Sequence, residues 1–584
     1  MADVKLTEKA LSTPKSGMNF VVTQPEAIGG GYTLESVRRI PASAVFGYVT
    51  PEDFGAVGNG VADDAPALQD ALESGYPVRL TKDLYIKSNI TVTDKDVWLD
   101  GGGYALHVIG TNMTGYMAKG RCIYIYASIH QGIEEDADVV LRTETAKSNP
   151  AFGYRSAYHR GYISYHGLNP TPTREEYEEE NVRCWYEMRF TLLNTNVVAH
   201  DCGGMTVIAA FQTCKSMVDN CRFLVAEGDA NVGLRMVNSY GLIVNNCIFD
   251  GFVALRSRHI ENTGYGLQFG GDACTVSNII ARNCKHGVVV GGDAQYFSTG
   301  ITMNNLTLQA KFDDERASDG ARVYQQTLDL HEGIHRPILN NIHCEFDNPT
   351  DPERAGTLVM FSCPEVVVNN LQCQHPNRGW QRGYIGFGPE AKRATFSNLL
   401  APMCRIYGYG WHHERGNEYD SNFMQEIYIN GGEIGDIRSS DANIHIRLTD
   451  VRVNGVISPT RYLWAENCIF KMTEYTSNGK IPIEITGEGW FTHCDIWGIQ
   501  SDNYLRSLPV IKAPQNTIHM TNCVIRKKLE RDVFKTSQEH IVNCEVYDIF
   551  GLVLGSSVFG NSDVNAEHYY VVGDQCELDK YNLW

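Results

Sequence analysis

An Asn followed by Cys, Leu or Ile recurs along this chain from residue 220 onward, and that recurrence limits the fold more than any other feature. The pairs Asn220-Cys221, Asn246-Cys247, Asn278-Ile279, Asn305-Leu306, Asn341-Ile342, Asn370-Leu371 and Asn398-Leu399 are spaced by 26, 32, 27, 36, 29 and 28 residues. Asn467-Cys468, His493-Cys494, Asn522-Cys523 and Asn543-Cys544 carry the pattern nearly to the end. Most pairs lie beside short apolar runs of strand length, with no long helix in each repeat. A repeat of this size cannot bury its apolar face alone and must stack on its neighbours. The expectation is an all-β chain, a right-handed parallel β-helix. Coils stacked roughly 4.8 Å apart let Asn amides hydrogen-bond in a ladder while Cys, Leu and Ile pack inside. The Cys are therefore expected to be small buried hydrophobes with reduced thiols, not metal ligands or disulfides. No Cys-x-x-Cys pair is present among the 17 Cys.

Composition supports a large folded core and excludes some partners. The hydrophobic fraction is 43% of 584 residues, and 50 Lys and Arg stand against 69 Asp and Glu, for a net charge of −19. A duplex-DNA binder needs a basic face to replace phosphate counterions, and no local Lys/Arg cluster provides one. Nucleic acid is not an expected partner. No window approaches the ~18 consecutive apolar residues of a membrane span. The start, Met1-Ala2-Asp3-Val4-Lys5, lacks the apolar stretch of a signal peptide, so synthesis in a cytosol is expected.

The text changes character along the chain. Residues 1–48 are rich in Gly, Ser, Thr and Pro, with a hinge signal at Gly29-Gly30-Gly31, and show no sustained period of helix or strand. They read as a small adaptor. Residues 49–545 read as the β-helix, interrupted at about 129–183 by a Tyr-rich and acidic insertion that contains Tyr154, Tyr158 and the run Glu175-Glu176-Tyr177-Glu178-Glu179-Glu180. Such an excursion either walls a binding site or decorates the surface. Residues 546–584 include Leu552, Val553, Leu554, Val558 and Phe559, more apolar than a free tail should be, and are expected to be a small C-terminal oligomerisation segment. Near the start of the β-helix, Leu68, Ala71 and Leu72 predict a short amphipathic helix with Asp63 or Asp64 as its N-cap.

The stretch Asp53-Phe54-Gly55-Ala56-Val57-Gly58-Asn59-Gly60-Val61-Ala62-Asp63-Asp64, with Ala67, Gln69 and Ala71-Leu72 after it, resembles the opening segment of the pectate-lyase-like β-helix superfamily. That superfamily spans lyases, polygalacturonases, epimerases and bacteriophage tailspikes, so the resemblance speaks to fold and not to substrate. Of the polygalacturonase motifs, only an isolated Asp313-Asp314 occurs in the β-helix region, in a charged run that reads as a solvated loop. A short adaptor, a helix, a long β-helix and a small C-terminal piece together resemble a phage tailspike depolymerase. The resemblance implies a homotrimer in the virion tail, made in the host cytoplasm and acting outside the cell on capsule or O-antigen. It also implies that residues 1–48 attach to the phage tail or to a second tail fibre protein, without membrane insertion.

Strand alternation points to the chemistry. In Leu234-Arg235-Met236, Leu267-Gln268-Phe269, Val288-Val289-Val290, Leu328-Asp329-Leu330 and Leu358-Val359-Met360 the outer pair should face inward, which leaves Arg235, Gln268, Val289, Asp329 and Val359 as one outward row. Just beyond three of these triplets come Asp272, Asp293 and the pair His331 and Glu332. Glycosidic hydrolysis needs two carboxyl groups at ~5 to 5.5 Å or ~6.5 to 9.5 Å, distances that neighbouring or next-neighbour coils provide. Crowded acids also raise one another's pKa, which keeps one protonated. Asp293, Asp329, Glu332 and Asp272 are therefore the candidate acids, and His331 the accompanying acid/base. Turn-forming Asp is the alternative for the Gly-Gly-Asp corners. Arg235, Gln268, Tyr324, Trp411 and His412 are candidate substrate-binding residues, the last two in the loop Trp411-His412-His413-Glu414-Arg415. Adjacent His residues are not a metal spacing, and neither metal nor cofactor is expected. A lyase would instead draw a base, a carboxylate-neutralising group and a proton donor from His331, Arg235 and Tyr324. A non-catalytic adhesin and a cellular pectate-lyase-like enzyme are the other readings.

Overall fold

The computed structural model describes residues 47–115, 120–126, 188–211, 213–252, 264–291, 298–310, 326–331, 334–346, 356–374, 383–387, 391–410, 426–438, 444–471, 483–497, 511–526, 534–542 and 545–547, and the backbone of 19–23 and 37–41. The insertion at about 129–183 and nearly all of the C-terminal segment 546–584 lie outside these residues. Within the adaptor, Asn19–Thr23 and Val37–Pro41 pair antiparallel, a hairpin that the composition there did not announce. The chain divides into two units, and among the described residues the division falls between Leu267 and Gln268.

The first unit begins with the helix Ala65–Glu73, which has Pro66 in its first turn. Leu68, Ala71 and Leu72 are buried as their spacing predicts. They pack on strands Ile90–Thr93 and Val97–Asp100. The two acids before the helix do different work. Asp63 Oδ1 accepts the Ala65 N–H at 3.0 Å and the Lys87 N–H at 2.8 Å. Asp64, 1% exposed, makes no cap bond and instead ties the loop to a strand, accepting from Val57 N–H at 2.7 Å and Tyr85 N–H at 2.9 Å. Three parallel sheets follow. Val97–Asp100, Phe190–Leu193, Met217–Asp219 and Ile243–Asn245 form one. Ala105–Ile109, Asn196–His200, Arg222–Glu227 and Ile248–Asp250 form the second. Ile90–Thr93, Arg121–Tyr126, Thr206–Phe211 and Val232–Tyr240 form the third. Each coil visits the three sheets in turn, which is a parallel β-helix.

The second unit repeats the scheme with its first two sheets fused into bent strands. Thr275–Cys284, Thr302–Ala310, Ile338–Phe346 and Glu365–Gln374 stack in parallel. The third sheet stacks His286–Val290, Gln326–Leu330, Gly356–Phe361 and Gly383–Phe387.

The repeated Asn occupies the corner between the first two sheets, and its backbone is left-handed there: φ is 53° at Asn220, 55° at Asn278 and 56° at Asn341. Asn tolerates this region because its short amide can hydrogen-bond locally. The amides form the expected ladder, Asn305 Nδ2 donating to Asn278 Oδ1 at 3.0 Å, Asn341 to Asn305 at 3.0 Å and Asn370 to Asn341 at 2.8 Å. His493 takes the same place, 3.1 Å from the Asn522 amide. The next residue points inward, and Cys344, Cys373 and Cys404 stack in the core beside Leu and Ile, as Cys468, Cys494 and Cys523 do further on. Fourteen Cys are described, all buried and none cross-linked to another.

Candidate active site

Asp329 sits in the third sheet of the second unit. Parallel pairing aligns it with Val289 on one side and Met360 on the other. Leu328 and Leu330 face the core, which turns the Asp329 carboxylate outward, yet it is only 8% exposed. Val359 departs from the expected row. It aligns with inward Leu328, because a bulge between Thr357 and Val359 shifts the strand by one residue and exchanges inside for outside.

Two imidazoles flank the carboxylate. His331 Nε2 lies 3.2 Å from Asp329 Oδ2, and His286 Nδ1 lies 4.0 Å from the same oxygen. The two His differ in environment. His286 is buried, and burial, with Lys285 adding to it, lowers its pKa to about 3 against the opposing pull of Asp329. It is neutral at physiological pH. The His331 side chain is 25% exposed, so it connects the carboxylate to solvent. Gly291, at φ +85°, backs it: a Cβ there would lie 3.2 Å from His331 Cβ. A carboxylate that orients a solvent-reaching imidazole is a proton-transfer device.

The remaining candidates are distributed as follows. Asp272 is 6% exposed, and its Oδ1 accepts the Thr299 N–H at 2.9 Å and the Thr299 hydroxyl at 2.8 Å. That is the corner role open to a Gly-Gly-Asp turn. Gln268 is buried and donates to the Gly291 carbonyl at 3.2 Å, tying its strand to the glycine behind His331. Arg235 lies in the first unit, in register with Ala209, with its guanidinium 5.2 Å from the Phe211 ring. Arg121 covers Tyr124 at 4.2 Å in the same cluster, and burial pushes the Tyr124 hydroxyl up. Asp293, Glu332, Tyr324, Trp411 and His412 lie outside the described residues, as does Glu414.

A second buried charge cluster was not anticipated. Asp436, 1% exposed, lies between Arg405, whose Nε is 3.3 Å away, and Arg438, whose Nη2 is 2.7 Å away. Both segments, Cys404-Arg405-Ile406 and Asp436-Ile437-Arg438, alternate charged with apolar residues, as Leu328-Asp329-Leu330 does. The same alternation would have found them. Among the described residues no group of three or more metal-ligating side chains is placed to hold an ion.

No protein-family model matches the chain, and no curated protein matches it. Solved structures do. Full-length tailspike protein 2 of an Escherichia coli O157:H7 bacteriophage is 13% identical with a TM-score of 0.38 over 75% of this chain and 49% of its own. This chain thus spans about half the length of that protein. The tailspike of E. coli bacteriophage HK620, solved with a pentasaccharide, is 11% identical with a TM-score of 0.40, covering 92% of this chain and 86% of the tailspike. An α-1,3-glucanase catalytic unit from Streptomyces thermodiastaticus is 10% identical with a TM-score of 0.31, covering 92% and 68%.

Proposed function

We propose that this chain is a tailspike-type protein that binds a bacterial surface polysaccharide and cleaves it by glycosidic hydrolysis, with Asp329 and His331 at the reacting centre. The observation that carries the proposal is the carboxylate–imidazole pair on the outward row of a β-helix sheet, its oxygen shielded and its imidazole reaching solvent. In the reaction, His331 exchanges the proton while Asp329 fixes its tautomer and balances its charge. The second carboxyl that hydrolysis requires comes from Asp293 or Glu332, the acids nearest in the repeat. The protein is expected to act from the virion tail as a homotrimer, with residues 1–48 as the attachment segment. Ile338 and Val367, neighbours in register on adjacent coils, are exposed apolar residues that support lateral packing.

The test is incubation with capsules and O-antigens from a strain panel, followed by an assay for new reducing ends. Asp329→Asn and His331→Gln are each expected to lower turnover on the order of 10²- to 10⁴-fold with glycan binding retained. Near-normal turnover in both variants would move the site elsewhere. A second reading, β-elimination on a uronate polymer, is favoured by the arginines on the same sheet face, which could neutralise a carboxylate. Ultraviolet absorbance of an unsaturated product, absent from hydrolysis, separates the two. Binding without any cleavage would indicate an adhesin.

A further inference from the structure

Gln326 opens the strand that carries Asp329, and the packing of the fold does not account for its side chain. The residue is 7% exposed, and its Oε1 is buried with no hydrogen-bond partner among the described residues. A buried amide oxygen left unpaired is unfavourable, and native folds pair nearly all such groups. Parallel pairing sets Gln326 beside His286 of the preceding coil. Strict alternation from inward Val288 and Leu328 would turn both side chains into the core. Gly287 shows why they face outward instead. A Cβ there would lie 3.2 Å from Ala281 Cβ and 3.4 Å from Leu308 Cδ2, both core residues, so position 287 faces the core as Val288 does. Thr327, between the paired ends of the next coil, is fully buried, and Leu328 follows it inward. Two successive inward positions return His286 and Gln326 to the face that carries Asp329.

The polar groups of this stretch are continuous. His286 Nδ1 comes to 4.0 Å from Asp329 Oδ2, and His331 Nε2 to 3.2 Å from the same oxygen. Gln326 stands beside His286 and, at three residues along the strand, roughly 10 Å from Asp329. We propose that Gln326 is a substrate-binding residue of the Asp329 site, its amide oxygen accepting a hydrogen bond from a hydroxyl of the sugar held against Asp329 and His331. This rests on the reading of the Asp329 face as a polysaccharide site and adds what that site selects: a sugar that presents a neutral donor at this position, not an anionic group. The selection follows from the atom. An amide oxygen only accepts, so it suits a hydroxyl and repels a carboxylate. A buried acceptor also discriminates sharply, because a sugar lacking the hydroxyl leaves it unpaired.

The experiment uses the full chain and the capsule or O-antigen polymer that the strain panel shows to be bound or cleaved. Binding is measured in an Asp329→Asn parent, so that the polymer stays intact, with Gln326→Met and Gln326→Glu added to it separately. Gln326→Met, similar in length and without an oxygen, is expected to bind the polymer on the order of 10- to 100-fold more weakly than the parent. Its melting temperature without polymer should equal or exceed the parent's, because the unpaired acceptor is gone. Gln326→Glu keeps an oxygen at the same reach and should bind nearly as the parent does. Unchanged binding in Gln326→Met overturns the assignment, and a lowered melting temperature with it marks a purely structural amide. Equal losses in the Met and Glu variants would trace the effect to packing and overturn it as well. Either result leaves the polysaccharide reading standing. If the wild type neither binds nor cleaves any polymer of the panel, that reading fails and the role of Gln326 with it.

Discussion

Asp64 holds the start of the first unit together, because three backbone N–H groups, of Val57, Gly58 and Tyr85, depend on one buried carboxylate. Asp64→Ala leaves all three without an acceptor and should cost on the order of 3 kcal/mol or more in denaturant unfolding. Asp63→Ala removes an exposed cap and should cost about 1 kcal/mol. Equal costs would show that the two acids share one role. His286 gives the molecule a signature in pH. Its pKa falls from the ordinary 6.5 to about 3 on folding, chiefly through burial. Above pH 6.5 both states are neutral and no penalty exists. Between pH 6.5 and 3 the unfolded chain takes up a proton that the folded chain refuses, so stability falls as the solution is acidified. Going from pH 7 to pH 5, about 2 kcal/mol of stability should be lost in the wild type and retained in His286→Gln, as read by urea titration at the two pH values. Parallel slopes in the two proteins would place the acid sensitivity on other groups.

Elements in this fold are coils, and their corners decide the register. Asn341 has φ 56° and joins two steps of the amide ladder. Asn341→Ala loses those bonds and forces a Cβ without a polar tip into left-handed backbone, which should cost roughly 2 kcal/mol. Asn341→Gly keeps the backbone at ease and should cost clearly less; a melting-temperature series across the two distinguishes ladder from corner. These corners were legible because Asn recurs beside an inward apolar residue. Between Asn398 and Asn467 the corners are Gly431 and Asp450. Gly and Asp reach the same left-handed backbone by other means, Gly through lacking a Cβ, so a search for Asn passes over them. Val359 shows the second limit. Alternation carries a strand's facing only as far as its first bulge, and the one at Thr357/Val359 exchanged Val359 for Met360.

Over the whole molecule, stacking places like residues on like, which makes the core a set of columns. Phe223 and Phe249 stack at 4.9 Å, and Cys373 lies between Cys344 and Cys404. The hydrogen bond from Cys247, and burial after it, push the Cys221 thiol far up, so it stays protonated and unreactive. All fourteen described Cys are buried. A thiol-reactive dye should therefore label at most three of the 17 Cys in native protein and all 17 in denaturant. Fast labelling of more than three would contradict the columns. The trimer proposal belongs to this scale as well: sedimentation at micromolar concentration should give three chains per particle, and a monomer with an intact C-terminus would refute it.

What the sequence by itself determined was everything that depends on neighbours along the chain: the helix at Leu68–Leu72, the strands, the Asn corners and the inward Cys. Local sterics and two-residue alternation encode these directly, and a repeat that needs its neighbours to bury its face leaves the parallel β-helix as the consistent answer. Only the tertiary structure decided which side chains meet from different coils. His286 beside Asp329 and Arg405 beside Asp436 arise from stacking coils of unequal length, whereas His331 and Arg438 follow their carboxylates by two residues along the same coil. No spacing in the sequence states how loops and bulges add up, so the residues of a site can be named from the chain while their company is settled by the ladder that aligns them.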